Sequence, residues 1–62
     1  MDDKVEIGEK RYFEMEARKL EFMKKYEESG NSLYLELAQI ENENMNKLAL
    51  AIMKAKKERS NY

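Results

Sequence analysis

Glu28-Ser29-Gly30-Asn31-Ser32 sits at the midpoint of the 62 residues and holds the strongest turn signal in the chain. Gly30 is the natural left-handed stop after a helix. Asn31 or Ser32 then offers the side-chain oxygen that caps the next one. On either side runs an uninterrupted, charge-rich segment with apolar residues at helical spacing. So short a link favours an antiparallel neighbour. The expectation is an all-α, antiparallel two-helix hairpin, with helix 1 over about 3–28, the turn at about 29–32 and helix 2 over about 33–59.

Working outward from the turn, helix 1 is expected to begin at Asp2 or Asp3. Asp3 can accept from first-turn amides, and Glu6 stands three residues on, at capping-box spacing. Gly8 interrupts a good helix at a cost of about 1 kcal/mol relative to Ala, so it marks either a frayed start or a close contact. Val5, Tyr12, Met15, Leu20, Phe22, Met23 and Tyr26 share one broad side, with Phe13 on its edge. In helix 2 the apolar side holds Leu33, Tyr34, Leu37, Ile40, Met45, Leu48, Ala51, Ile52 and Ala55. Glu36, Glu41 and Glu43 come early and Lys54, Lys56, Lys57 and Arg59 late, an order that complements the helix dipole. Asn42, Asn44 and Asn46 alternate through the middle. Asn is a mediocre helix former, so a break there would give three short helices.

Folding the chain about residue 30 pairs residues whose numbers sum to about 60, the register of an antiparallel hairpin. Gly8 then lies near Ala51 and Ile52, Tyr26 faces Tyr34, and Tyr12 faces Leu48. Lys19 meets Glu41, and Glu16 meets Asn44. These four polar residues interrupt the apolar faces. They either snorkel to water from the margin or form a buried polar layer that fixes register and oligomeric state. Ile7, Leu50 and Met53 fall off the main faces. They are scattered exposed apolar residues or, if contiguous, a patch that touches a partner.

The apolar arc on each helix covers close to half the circumference, more than one neighbour can cover. A chain this short buries little by itself, and it has no Cys and no His. Disulfides and the usual zinc clusters are thereby excluded, which leaves partner chains as the source of added stability. Pairing into a homodimeric four-helix bundle is the simplest solution. The layout resembles the Rop class of plasmid copy-number regulators, short hairpins that pair into bundles. The resemblance is one of architecture alone, so it implies the paired bundle and carries over neither site residues nor RNA binding.

Twelve basic residues stand against 13 acidic ones, so the total shows no nucleic-acid-binding excess. The one basic cluster is the tail Lys54, Lys56, Lys57 and Arg59. It is either an ordinary helix C-terminus or, doubled in a dimer, a set of phosphate contacts. No apolar run approaches the roughly 18 residues of a membrane span. Asp2-Asp3 carries the wrong charge for a secretory leader. There is no phosphate-cradling loop and no nucleophile with a base. Glu16 and Glu41 lack the His of carboxylate-bridged metal bundles. The expected reading is therefore a cytoplasmic, non-enzymatic interaction protein with no cofactor and no metal, binding itself and an unidentified protein. The abundance of Lys, Asn, Ile, Tyr and Phe points to an AT-rich source such as a low-GC bacterium or its phage, where short regulators and inhibitors are common. The alternative is a nucleic-acid-binding regulator that uses the paired basic ends.

Overall fold

A computed structural model describes residues 3–60, and side chains through residue 58. Two helices account for nearly all of it: α1, Lys4–Ser29, and α2, Ser32–Ser60. Each reaches one residue further into the turn than its expected bound. Asp3 caps α1, its carboxylate accepting from the Val5 amide at 2.9 Å. Gly30 ends it at φ 70°, ψ 8°, with its N–H donating to the Tyr26 carbonyl at 2.7 Å. Asn31 takes the capping role for α2, its Oδ1 accepting from the Leu33 N–H at 3.0 Å. The Ser29 hydroxyl braces the same corner, donating to the Lys25 carbonyl at 2.7 Å and accepting from the Asn31 N–H at 3.1 Å. Several of the backbone groups that two helix ends would leave unpaired are thus met within the turn itself.

The helices pack along a seam with a seven-residue repeat. On α1 it runs through Val5, Tyr12, Lys19 and Tyr26, interleaved with Gly8, Met15 and Phe22. On α2 it runs through Ala38, Met45 and Ile52, interleaved with Tyr34, Glu41, Leu48 and Ala55. Every one of these is buried or half-buried. That is the pattern of a coiled-coil seam, in which alternate three- and four-residue steps keep one stripe turned to its neighbour. Asn42, Asn44 and Asn46 do not break α2, which is continuous for 29 residues. With neither Gly nor Pro present, the modest propensity cost of Asn does not outweigh the packing on both sides.

Gly8 sits inside this seam. A Cβ built there would lie 2.9 Å from Ile52 Cγ1, so the missing side chain lets α2 approach closely. The expected nearness of Gly8 to Ile52 is what the structure has, and α1 is helical on both sides of the glycine.

The core is thin. Among the described residues the buried apolar side chains are Val5, Ala38 and Met45, and no large side chain is fully buried. The hairpin measures 50 × 18 × 11 Å with a radius of gyration of 14.6 Å, against about 11 Å for a compact chain of this length. Its accessible surface is 5267 Å². A compact monomer of 7.4 kDa would expose about 4,200 Å². About 1,000 Å² per chain is therefore surface that a globular fold would have covered.

Candidate functional site

The polar interruption of the seam contains the residues expected there, joined to different partners. The Lys19 ammonium donates to Asn42 Oδ1 at 3.0 Å. Glu41 Oε1 is instead held by Arg18 Nε at 3.1 Å. Glu16 is half-buried and Asn44 exposed. The register is thus within one residue of expectation, while the pairing follows side-chain reach. A guanidinium suits a carboxylate better than an ammonium does, and a long helical side chain covers the turn before its own Cα. Glu41 is the constrained member: its side chain is 16% exposed, and Oε2 is buried with no donor.

A buried carboxylate oxygen left unpaired costs about 1–3 kcal/mol, so this layer is no source of stability. The double variant Lys19→Leu/Glu41→Leu is expected to raise Tm by about 5–10 °C. If these residues specify assembly, it also gives a mixture of masses in light scattering. A lower Tm would show the layer to be stabilising as it stands.

Two flanks border the seam, and they differ in chemistry. In an antiparallel pair, equivalent flanks of the two helices lie side by side. On one flank Phe13, Leu20 and Met23 of α1 run beside Leu35, Gln39, Asn42, Asn46, Ala49 and Met53 of α2. Phe13, Leu20 and Met53 are 60–65% exposed. A groove of about 250 Å³ opens on this flank between Tyr12, Phe13, Ala49, Ile52 and Met53. The Phe13 ring stands edge-on to Tyr12, with centroids 6.3 Å apart and planes at 83°. Glu9 and Lys56 close the groove's polar edge with an ion pair at 3.6 Å. A second, smaller groove of about 180 Å³ lies further along it, against Lys19, Met23, Ala38, Gln39 and Asn42.

The other flank is charged. Arg11, Arg18 and Lys25 succeed one another at seven-residue spacing, with Glu14 and Glu21 outside them. Arg18 holds Glu41, and Lys25 lies 3.8 Å from Glu21 and 5.9 Å from the Tyr34 ring centroid. Leu33 and Ile40, expected on the apolar side of helix 2, are more than half exposed here. Leu20 is likewise exposed on α1. The reason is common to all three: the apolar arc is wider than the strip one helix can cover.

Ile7, Leu50 and Met53 are all exposed, but only Met53 lines the groove with Phe13. Leu50 lies on the back of α2, and Ile7 lies on the charged flank by helical geometry. Phe13, placed at the edge of the apolar face by sequence, emerges as the main groove residue that α1 contributes. The signal for it was the repeat of Phe13 and Leu20, seven residues apart and each one step beyond a seam residue. At the basic end, Lys56 is engaged by Glu9, Lys54 and Lys57 are exposed, and the Arg59 side chain lies outside the described residues. Among the described residues no three acidic groups gather in a metal-binding arrangement, and no helix is long and apolar enough to cross a membrane. No protein-family model, no curated protein and no solved structure matches the chain.

Proposed function

We propose that the protein is a non-enzymatic protein–protein interaction module that assembles as a homodimeric four-helix bundle and acts by binding and modulating another protein. The supporting observation is the surplus surface of about 1,000 Å² per chain, with large apolar side chains such as Phe13 and Leu50 along it. A standard stable interface covers about 800 Å² on each partner, so the hairpin has area enough for one such contact. The grooves fit the same reading. The apolar groove beside Phe13, about 250 Å³, is of a size to receive a protruding side chain.

Light scattering on the full chain tests the assembly. The expected mass is twice the 7.4 kDa of one chain, with a melting temperature that rises with protein concentration. A mass of one chain at every concentration up to about 100 μM, with a concentration-independent melt, would reject the homodimer.

A further inference from the structure

Two flanks are open to a second helical pair, and their chemistry separates them. We infer that the second copy of the chain docks on the flank that carries Phe13, Leu20 and Met53, with Phe13 as its anchor. The assignment rests on the homodimer proposed above and names its contact surface.

Composition distinguishes the two flanks. From Leu35 to Met53, the α2 side of this flank carries Gln39, Asn42, Asn46 and Ala49 and no charged residue. The α1 side is interrupted between Phe13 and Met23 by Glu16 alone. Interface cores are depleted of charge and enriched in aromatic residues and Met, which fits this flank on both helices; the opposite flank is apolar at Leu33, Leu37 and Ile40 of α2 but carries Arg11, Arg18 and Lys25 on α1.

Symmetry says why the occupant is another copy. A two-fold dimer presents the same patch from both sides, so every residue near the axis approaches its own twin or a near neighbour. With the axis across the helices, α1 meets its own copy, and on the charged flank this would bring together two rows of Arg11, Arg18 and Lys25, whose desolvation would strain the Arg18–Glu41 and Lys25–Glu21 pairs. Amides behave differently, because each carries both donor and acceptor and can pair with an identical amide. The strip of Gln39, Asn42 and Asn46 is therefore self-complementary, whereas the charged flank would have to bury its ion pairs. Phe13 and Leu20 also count twice under this symmetry, so two side chains per chain give four across the interface.

The groove points the same way. Tyr12, Ile52 and Met53 form an apolar recess beside an aromatic side chain that is itself 65% exposed. A protruding ring next to a recess, repeated by a two-fold axis, gives each chain one knob and one hole. Buried aromatic anchors of this kind dominate interface energetics.

The test compares Phe13→Asp with Ile40→Asp, a substitution at a similarly exposed position on the charged flank. Phe13→Asp is expected to weaken dimerisation at least 100-fold, which appears as the mass of one chain at about 50 μM, a concentration at which the unaltered chain is expected to be dimeric. Ile40→Asp is expected to keep the mass of two. Loss of the dimer in Ile40→Asp, or its retention in Phe13→Asp, overturns the assignment while leaving the homodimer itself intact. A monomeric unaltered chain removes both.

Should Phe13→Asp unfold, single-cysteine variants decide the matter, since the chain has no cysteine of its own. Leu20→Cys and Met53→Cys are expected to yield covalent dimers with a short bis-maleimide, and Ile40→Cys to remain uncoupled. The reverse pattern places the second copy on the charged flank.

Discussion

Met45→Asp is expected to abolish the cooperative thermal transition. Met45 is 5% exposed and lies at the centre of the α2 seam, between Ala38 and Ile52 in the seven-residue repeat. The ordinary stability of a chain this size is about 3–9 kcal/mol. An unpaired carboxylate taken into an apolar seam costs several kcal/mol, and the packing that the methionine side chain supplied goes with it. Far-UV circular dichroism should therefore show a shallow, non-cooperative loss of helix from low temperature upward. Leu50→Asp introduces the same charge five residues away, at a side chain 68% exposed, and is expected to change stability by no more than about 0.5 kcal/mol. A cooperative melt for Met45→Asp within a few degrees of the parent would mean that α2 turns a different face inward.

The second large effect is expected at Gly8, where two opposing terms can be weighed. Replacing Gly with Ala in a helix gains about 1 kcal/mol of propensity. The new Cβ would stand 2.9 Å from Ile52 Cγ1, and overpacking of this kind costs about 1–3 kcal/mol. The net expectation for Gly8→Ala is a loss of about 1 kcal/mol, or about 4–8 °C in Tm. For Gly8→Leu it is about 3 kcal/mol, because the whole side chain must then displace α2. Ile52→Ala removes the atom in the way. In that background Gly8→Ala should become stabilising by about 1 kcal/mol, the propensity term alone. If Gly8→Ala stabilises the parent chain as much as the Ile52→Ala background, the close approach has no energetic consequence.

Much of this architecture could be read from a few residues. Gly30 and Asn31 announce the turn because one supplies a positive φ and the other a capping oxygen. Once the turn is fixed, helical geometry fixes the register, and so Gly8 and Ile52 are found together. What could not be read depends on lengths and angles that the repeat does not specify. Lys19 reaches Asn42 where Glu41 was expected, because a four-carbon stem allows several partners within one turn. Leu20, Leu33 and Ile40 sit on the apolar side of their helices yet stay exposed, because a hairpin offers each helix a single neighbour. Phe13 carries the same lesson from the other direction. Its edge position suggested a margin of the core, whereas in the folded hairpin it stands as one wall of a groove. Met53 stands in that groove too, while Ile7 and Leu50 lie on other sides by helical geometry, so of the two readings open for these three residues the scattered one fits and the contiguous patch does not.

The two-residue turn also sets the order in which the seam closes. Contacts beside it join residues about nine apart in sequence, such as Lys25 and Tyr34, whereas Gly8 and Ile52 are 44 apart, and the entropy of loop closure rises with that separation. The hairpin is therefore expected to zip from the turn toward the open end. A close approach of the two helices, with Val5 buried and Gly8 against Ile52, lies at the end that closes last. Contacts absent from the transition state act on escape from the folded state. The Gly8 substitutions should accordingly speed unfolding and leave the folding rate nearly unchanged, so that the missing side chain acts as a latch at the far end of the zipper.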